Sequence, residues 1–158
     1  MNLYEGSPMN ANQYRYAIVI SRWNELITEK LKEGALAAFR KFKVQETNID
    51  IFYVTGSFEL GSTAKRITQL KKHNGILCIG CIIRGSTDHY EYVASQTASQ
   101  IAKVALESEI PIIFSILTTD TIEQALERAG LKMGNKGYEG AISLMEMCDL
   151  YNQVKNIK

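Results

Sequence analysis

Four short apolar runs, each followed by a stretch with helical spacing, limit most strongly what this chain can fold into. They cover residues 16–20, 49–54, 75–83 and 111–117. None of them alternates between apolar and polar residues, as a strand with one solvent-exposed face would. Strands without this alternation, each followed by a helix, are typical of a parallel sheet covered by helices on both faces. The pattern therefore predicts an α/β fold.

The segments between these runs repeat apolar residues at the three- and four-residue spacing of helices. Helices are predicted at about residues 24–41, 59–72, 90–107 and 138–154. A shorter helix is predicted after the fourth run, with Asp120 and Glu123 as a capping box and Gly130 at its C-terminal end. The first six residues, MNLYEG, stand apart, and we interpret them as an extra strand that pairs outside its own domain.

Length and charge exclude several classes of protein. The 158 residues suit a single domain, taken as residues 1–158, and the net charge of +1 gives no basic footprint for nucleic acid. No apolar run approaches the roughly 18 residues that span a bilayer. No basic segment followed by an apolar one opens the chain, so we expect no secretory signal. Three cysteines in apolar surroundings indicate free thiols in a reducing cytoplasm.

Polar and aromatic residues directly follow each apolar run. In an open parallel sheet, ligands bind beyond the carboxyl ends of the strands. We therefore expect these residues to converge on one edge of the sheet, from segments 21–24, 55–59, 84–89 and 118–120.

The segment GSTDH (85–89) has two interpretations, and its residues leave both open. It is either an ordinary strand-to-helix turn capped by Thr87 or Asp88, or a functional loop whose backbone N–H groups bind an anion. No P-loop or dinucleotide fingerprint is present, so a bound phosphate would be small. His89 is either a structural histidine or a proton-transfer group, which histidine suits near neutral pH. His73 is explained by a favourable contact with a helix C-terminus.

Two further features each have a structural and a functional interpretation. Cys78 and Cys81 spell C-x-x-C, but residues three apart on a strand point to opposite faces, so we expect core packing rather than redox or metal chemistry. Trp23 and Phe58 are either core residues or an exposed pair that stacks on a flat heteroaromatic ring. No zinc-ligand spacing is found elsewhere in the sequence.

Taken together, the motifs resemble those of the 6,7-dimethyl-8-ribityllumazine synthase family. The resemblance covers almost the whole chain and keeps the order and spacing of the family. It implies a flavodoxin-like three-layer sandwich with a central four-stranded parallel sheet. It rests on SRWNELI (21–27), VTGSFEL (54–60), GCIIRGSTDHYEYVA (80–94), TTDTIEQALERAG (118–130) and GNKGYEGA (134–141).

The resemblance implies a cytoplasmic transferase of riboflavin biosynthesis. The family condenses 5-amino-6-(D-ribitylamino)uracil with 3,4-dihydroxy-2-butanone 4-phosphate, releases phosphate and water, and uses no metal or organic cofactor. It assembles as pentamers with active sites between neighbours. The short connection LKMGNKG (131–137) favours an icosahedral shell of roughly 60 subunits over a lone pentamer, and such a shell can enclose riboflavin synthase. Neither nucleic acid nor a membrane is an expected partner.

The resemblance also implies roles for single residues. His89 corresponds to the proton-transfer residue, and Trp23 to the aromatic residue that stacks on the pyrimidine. Further substrate-binding roles fall on the ribityl-binding Ser57, Phe58 and Glu59; on the backbone of Ile82 and Ile83 at the pyrimidine edge; on the phosphate-binding Gly85, Ser86, Thr87 and Arg128; on Phe114 from a neighbouring subunit; and on Lys136, supported by Glu139.

Three positions depart from the family pattern. Thr55 stands where proline is usual, Trp23 where phenylalanine is more common, and Met133 replaces a residue that is often polar, so no role is carried onto it. Two alternatives stay open. The fold alone permits a non-catalytic binder of flavin or lumazine, and the departures at Thr55 and Trp23 leave room for a structural shell protein that has lost its activity. The intact set of His89, Arg128 and Lys136 favours the enzyme.

Overall fold

One parallel sheet organises the protein. The computed structural model describes residues 1–132 and 134–157. Its strands run side by side in the order β2-β1-β3-β4, and every neighbouring pair is parallel. The predicted four-stranded sheet is therefore confirmed. Its strands are β1 (Tyr16–Ser21), β2 (Ile49–Val54), β3 (Gly75–Ile83) and β4 (Ile112–Thr119).

Helices cover both faces of this sheet, as the apolar character of its strands requires. One apolar core lies between the sheet and α1, α4 and α5, and a second lies between the opposite face and α2 and α3. This is the three-layer α/β sandwich that was predicted. The helices are α1 (Glu25–Lys41), α2 (Leu60–Gln69), α3 (His89–Glu107), α4 (Ile122–Arg128) and α5 (Lys136–Lys155).

The cysteines confirm the alternation of side chains along β3. Cys81 packs in the core under α1 and α5, whereas Cys78 packs in the core on the opposite face. Both are free thiols, and so is the buried Cys148 of α5. Burial raises the pKa of each of the three thiols to about 12. The C-x-x-C sequence is therefore part of the core.

The N-terminus of α4 lies one residue beyond the predicted cap. Thr121 occupies the N-cap, and its hydroxyl accepts a hydrogen bond from the Gln124 amide at 3.2 Å. The Gln124 side chain accepts from the Thr121 amide in return, also at 3.2 Å. The predicted box of Asp120 and Glu123 is therefore wrong. Gly130 follows the helix with φ +107°, as predicted for its C-terminal end.

His73 is held by a carboxylate rather than by a helix end. Its side chain is buried, and its Nε2 lies 2.7 Å from Asp50 Oδ2. Arg15 donates to the same carboxylate through its Nε and Nη2 atoms. The hydrogen bond from His73, followed by those from Arg15, lowers the pKa of Asp50. The predicted helix-dipole contact is wrong, and this cluster stands at the amino ends of the strands, away from their ligand-binding edge.

The first residues of the chain form no strand within it. A 3-10 helix covers Pro8–Gln13, and the residues before it lie along α5. Gln153 Nε2 donates to the Glu5 carbonyl at 2.8 Å, and the Ser7 amide donates to Asp149 Oδ2 at 3.0 Å. No helix in the described part of the chain combines the length and apolar character needed to cross a membrane.

Candidate active site

The order of the strands creates a crevice between β1 and β3. These strands are neighbours in the sheet, but the chain leaves β1 toward α1 on one face and leaves β3 toward α3 on the other. Such a switch point is where ligands bind in open α/β sheets. A cavity of about 600 Å³ opens here at the carboxyl ends of the strands. We call it the switch-point cavity.

Most of the predicted site residues line the switch-point cavity. They come from the turns after β1 and β2, from the end of β3 and the loop after it, and from the first residue of α3, so the residues at the ends of these three strands converge as expected from the sequence. These residues are Trp23, Ser57, Phe58, Glu59, Ile82, Ile83, Gly85, Thr87 and His89.

Two aromatic side chains stand at the rim of this cavity instead of filling the core. Trp23 is 72% exposed and Phe58 is 48% exposed. A large apolar side chain left in solvent at a cavity is typical of a binding surface. Of the two interpretations of this pair, the structure favours the exposed one.

The turn after β2 is held by its own glutamate. Glu59 Oε2 accepts a hydrogen bond from the Gly56 amide at 2.9 Å, which closes the turn around Ser57. Thr55, which replaces the proline usual in the family, lines the cavity, and its carbonyl accepts from the Trp23 amide at 3.2 Å. The turns after β1 and β2 are therefore tied to each other at the mouth of the cavity.

The loop between β3 and α3 presents its backbone to solvent. Asp88 occupies the N-cap position of α3 but makes no capping hydrogen bond with its side chain, so the plain capping explanation is not supported. A Cβ added to Gly85 would meet nothing within 4 Å, so the packing of the chain itself does not require glycine there. Ser86 is exposed in the same loop but does not line the cavity.

Arg84 anchors the base of this loop. Its Nε donates to Asp120 at 2.9 Å, its Nη1 donates to Glu91 at 2.7 Å, and its guanidinium lies 4.2 Å from the centre of the Tyr90 ring. The hydrogen bonds that Arg84 donates to Asp120 and Glu91 raise the pKa of its guanidinium. The arginine is thus occupied by protein groups and fixes the loop to β4 and α3.

The two predicted cationic residues of the site, Arg128 and Lys136, do not line the switch-point cavity. Arg128 and Lys136 line a second cavity of about 320 Å³ beside β4, together with Thr118 and Glu139. Lys136 Nζ lies 3.7 Å from Glu139 Oε2, which agrees with the support expected from Glu139. All four strand ends share one edge of the parallel sheet, as expected, but within a single chain the residues beside the end of β4 line a separate cavity. We call this second pocket the β4 cavity.

One more predicted site residue lies outside both cavities. Phe114 of β4 is 39% exposed but lines neither the switch-point cavity nor the β4 cavity. Met133, for which no role was predicted, lies outside the described residues.

Sequence reasoning missed part of the cavity wall. Tyr92, Val93 and Gln96 line it from α3, three, four and seven residues after His89. That spacing places them on the same helical face as His89 and could have revealed them. Asn24, which belongs to the predicted segment 21–24, also lines the cavity, and its side chain makes a hydrogen bond that the sequence does not indicate.

The chemistry available in the two cavities is acid–base and electrostatic. The switch-point cavity holds an imidazole, aromatic rings and backbone donors, and the β4 cavity holds a guanidinium and an ammonium group. Within residues 1–132 and 134–157, no three His, Cys, Asp or Glu side chains are grouped so that they could hold a metal ion.

Comparisons with known proteins agree with this arrangement. The family model described as 6,7-dimethyl-8-ribityllumazine synthase matches residues 13–152. The 6,7-dimethyl-8-ribityllumazine synthases of two Clostridium kluyveri strains are each 46% identical to the chain over 155 residues, covering 98% of it and 100% of the relative. The switch-point cavity, the motifs around it and these matches together show that the chain belongs to the 6,7-dimethyl-8-ribityllumazine synthase family.

Proposed function

We propose that the chain condenses 5-amino-6-(D-ribitylamino)uracil with 3,4-dihydroxy-2-butanone 4-phosphate to give 6,7-dimethyl-8-ribityllumazine, phosphate and water, the penultimate step of riboflavin biosynthesis. The observation that carries the proposal is the switch-point cavity. It brings an exposed indole, an imidazole and an open glycine loop together in a chain that matches synthases along nearly its full length.

The uracil substrate occupies the switch-point cavity in this proposal. Trp23 stacks on the pyrimidine, because an exposed indole gives a flat apolar surface of the right kind. Backbone groups of Ile82 and Ile83 form hydrogen bonds with the pyrimidine edge, because β3 ends at this cavity. The turn formed by Ser57, Phe58 and Glu59 binds the ribityl chain.

The phosphate substrate binds at the loop between β3 and α3. The open space at Gly85 lets a phosphate oxygen approach the backbone, and Ser86 and Thr87 add hydroxyl and N–H donors. Arg128 supplies the charge, because a guanidinium can bind phosphate through two parallel hydrogen bonds. Lys136 lies near the ribityl or pyrimidine part of the other substrate.

The reaction needs proton transfers and a stabilised leaving phosphate more than it needs a nucleophile. The amine attacks the ketone, the carbinolamine loses water, phosphate departs, and an enol tautomerises before the ring closes. His89 moves protons between nitrogen and oxygen, and Arg128 with the loop donors stabilises the phosphate charge. Holding both substrates in contact lowers the activation barrier by up to about 7–11 kcal/mol.

The site is completed between two copies of the chain. Arg128 and Lys136 line the β4 cavity, apart from His89, and each of the two cavities lacks a part that the chemistry needs. We place the β4 cavity of one copy, with its Phe114, against the switch-point cavity of the next. A closed ring that uses one such heterologous contact repeatedly accounts for a pentamer.

The edge of the sheet offers a second contact between copies. β2 is an edge strand with Ile51 and Tyr53 exposed, and it accepts residues 1–6 of a neighbour as an added strand. Pentamers of the single domain 1–158 then build an icosahedral capsid of roughly 60 subunits in the cytoplasm. Such a shell can enclose riboflavin synthase. Static light scattering on the purified protein separates the shell from a mass near five chains.

One assay tests the proposed function against its alternatives. Both substrates are mixed with the purified protein, and the absorbance and fluorescence of the lumazine are followed with time. We expect catalytic turnover without added metal or cofactor. A non-catalytic flavin or lumazine binder would bind the product without forming it, and a structural shell protein would do neither. Either of those results would overturn the proposed activity.

A further inference from the structure

We propose that Asn24 is a positioning residue, which holds Trp23 over the switch-point cavity and so sets the affinity for the flat ring of the substrate. The inference rests on the proposed function, because that function identifies the ring as a pyrimidine. Asn24 itself lines the cavity beside Trp23, at the start of α1.

The backbone of Asn24 is unusual and unexplained by helix capping. It has φ 61° and ψ 44°, a left-handed conformation that asparagine tolerates better than most residues with a side chain. Its carbonyl accepts from the amides of Ile27 and Thr28, which begins α1. Its side chain, however, makes no capping hydrogen bond. The left-handed backbone already favours asparagine at this position, and the side-chain amide makes one further interaction.

That interaction is a bridge between β1 and β3. Asn24 Nδ2 donates to the carbonyl of Cys81 at 2.8 Å. The last residues paired between these strands are Ile20 and Ile79, so Cys81 lies beyond the end of their ladder. Beyond the last strand pair, the hydrogen bond from the asparagine amide connects the end of β1 to β3, where the cavity opens.

Trp23 is held between this bridge and a second anchor. Its own amide donates to the carbonyl of Thr55 after β2, and the next residue is tied to β3 through Cys81. Because the indole is 72% exposed, its own packing contributes little to its position. The amide of Trp23 and the side chain of Asn24 therefore fix the backbone from which the ring projects at the cavity that Ile82 and Ile83 also line.

Two variants separate the bridge from the backbone conformation. Asn24→Gly keeps the left-handed conformation at no steric cost but removes the amide. Asn24→Asp keeps the shape of the side chain but places a carboxylate oxygen against the Cys81 carbonyl. Trp23 is the single tryptophan of the chain, so tryptophan fluorescence reports on the cavity alone. Its quenching during titration with 5-amino-6-(D-ribitylamino)uracil gives the Kd.

We expect both variants to raise the Kd for the uracil about three- to tenfold, the effect of losing one neutral hydrogen bond. The KM for the phosphate substrate should stay unchanged, which a general loss of structure would not produce. Asn74→Ala is the matched control, because the Asn74 side chain accepts from the Arg15 amide at 2.8 Å and links β1 to β3 at the opposite end of the sheet. It should leave the Kd unchanged.

A Kd for Asn24→Gly within about a factor of two of the unmutated chain would overturn the positioning role, and so would an equal weakening by Asn74→Ala. If the unmutated chain neither bound the uracil nor turned it over, the proposed function itself would fail.

Discussion

His89 and Arg128 lie in different cavities of one chain, His89 in the switch-point cavity and Arg128 in the β4 cavity beside β4. A proton-transfer group and the guanidinium proposed to bind the phosphate must act on the same reacting molecules. Their separation within one chain therefore supports a site that two copies of the chain complete together.

Replacing His89 should slow the chemistry and leave substrate binding nearly intact. His89 is exposed at the first turn of α3, so His89→Ala and His89→Gln should fold normally. Because positioned proton transfer contributes about 10²–10⁴-fold to a rate, we expect single-turnover rates to fall by about a hundredfold or more. Residual activity should remain from substrate alignment. An unchanged single-turnover rate in both variants would remove His89 from the mechanism.

Replacing Gly85 should affect a ligand and not the fold. The added Cβ of Gly85→Ala meets nothing within 4 Å, so the free energy of unfolding should change by less than about 0.5 kcal/mol. The same methyl group would occupy the space where a phosphate oxygen approaches the loop. We expect the KM for 3,4-dihydroxy-2-butanone 4-phosphate to rise about tenfold, a change worth ~1.4 kcal/mol. A raised KM for the uracil alone would show that the loop binds the other substrate.

The cluster of Arg15, Asp50 and His73 should contribute to stability in a pH-dependent way. Asp50→Asn removes the charged acceptor of both partners, and about a third of the Asp50 side chain is exposed, so we expect a loss of only about 1 kcal/mol at pH 7. The pKa of Asp50 is lowered in the folded state, from an ordinary value of 3.8. Its contribution is therefore fully present above the unfolded-state pKa and is lost as the pH falls through the lower folded-state pKa.

Urea unfolding between pH 7 and pH 3 measures this contribution. The gap in stability between the original chain and Asp50→Asn should narrow toward the acid end. A gap that stayed constant with pH would mean that the carboxylate is not charged more readily in the folded state.

The three cysteines should not react while the protein is folded. Cys78, Cys81 and Cys148 are buried, and the burial raises the pKa of each to about 12, so almost no thiolate is present at pH 7.5. Mass spectrometry after maleimide treatment should find the native chain unlabelled and the urea-unfolded chain labelled three times. Rapid labelling of the native chain at any of these positions would contradict their assignment to the core.

The sheet could be predicted from the sequence because its determinants are local. The nine residues of β3 carry no polar side chain, and the strand was predicted within its observed bounds. The cap of α4 was misassigned because Asp120 pairs with Arg84, a partner distant in sequence, whereas Thr121 and Gln124 already have the spacing of a capping box. His73 was misjudged for the same reason, since its partner Asp50 is distant in sequence.

The candidate site was predictable in part. Residues that follow β1, β2 and β3 converge because parallel strands bring their carboxyl ends to one edge. That rule does not say which side of a strand end a cavity opens on, so the separate β4 cavity with Thr118 and Arg128 was not foreseen. The bridge from Asn24 to Cys81 depends on where the β1–β3 ladder ends, which no sequence pattern shows.

Mixed oligomers test most directly whether two copies complete each site. His89→Ala and Arg128→Ala chains carrying different affinity tags are expressed together, and oligomers that contain both are purified and compared with each variant alone. If one copy supplies His89 and its neighbour supplies Arg128, about a quarter of the sites in a random closed ring regain both residues. The mixed oligomers should then be clearly more active than the mean of the two variants. Activity equal to that mean would show that both residues of a site belong to the same chain.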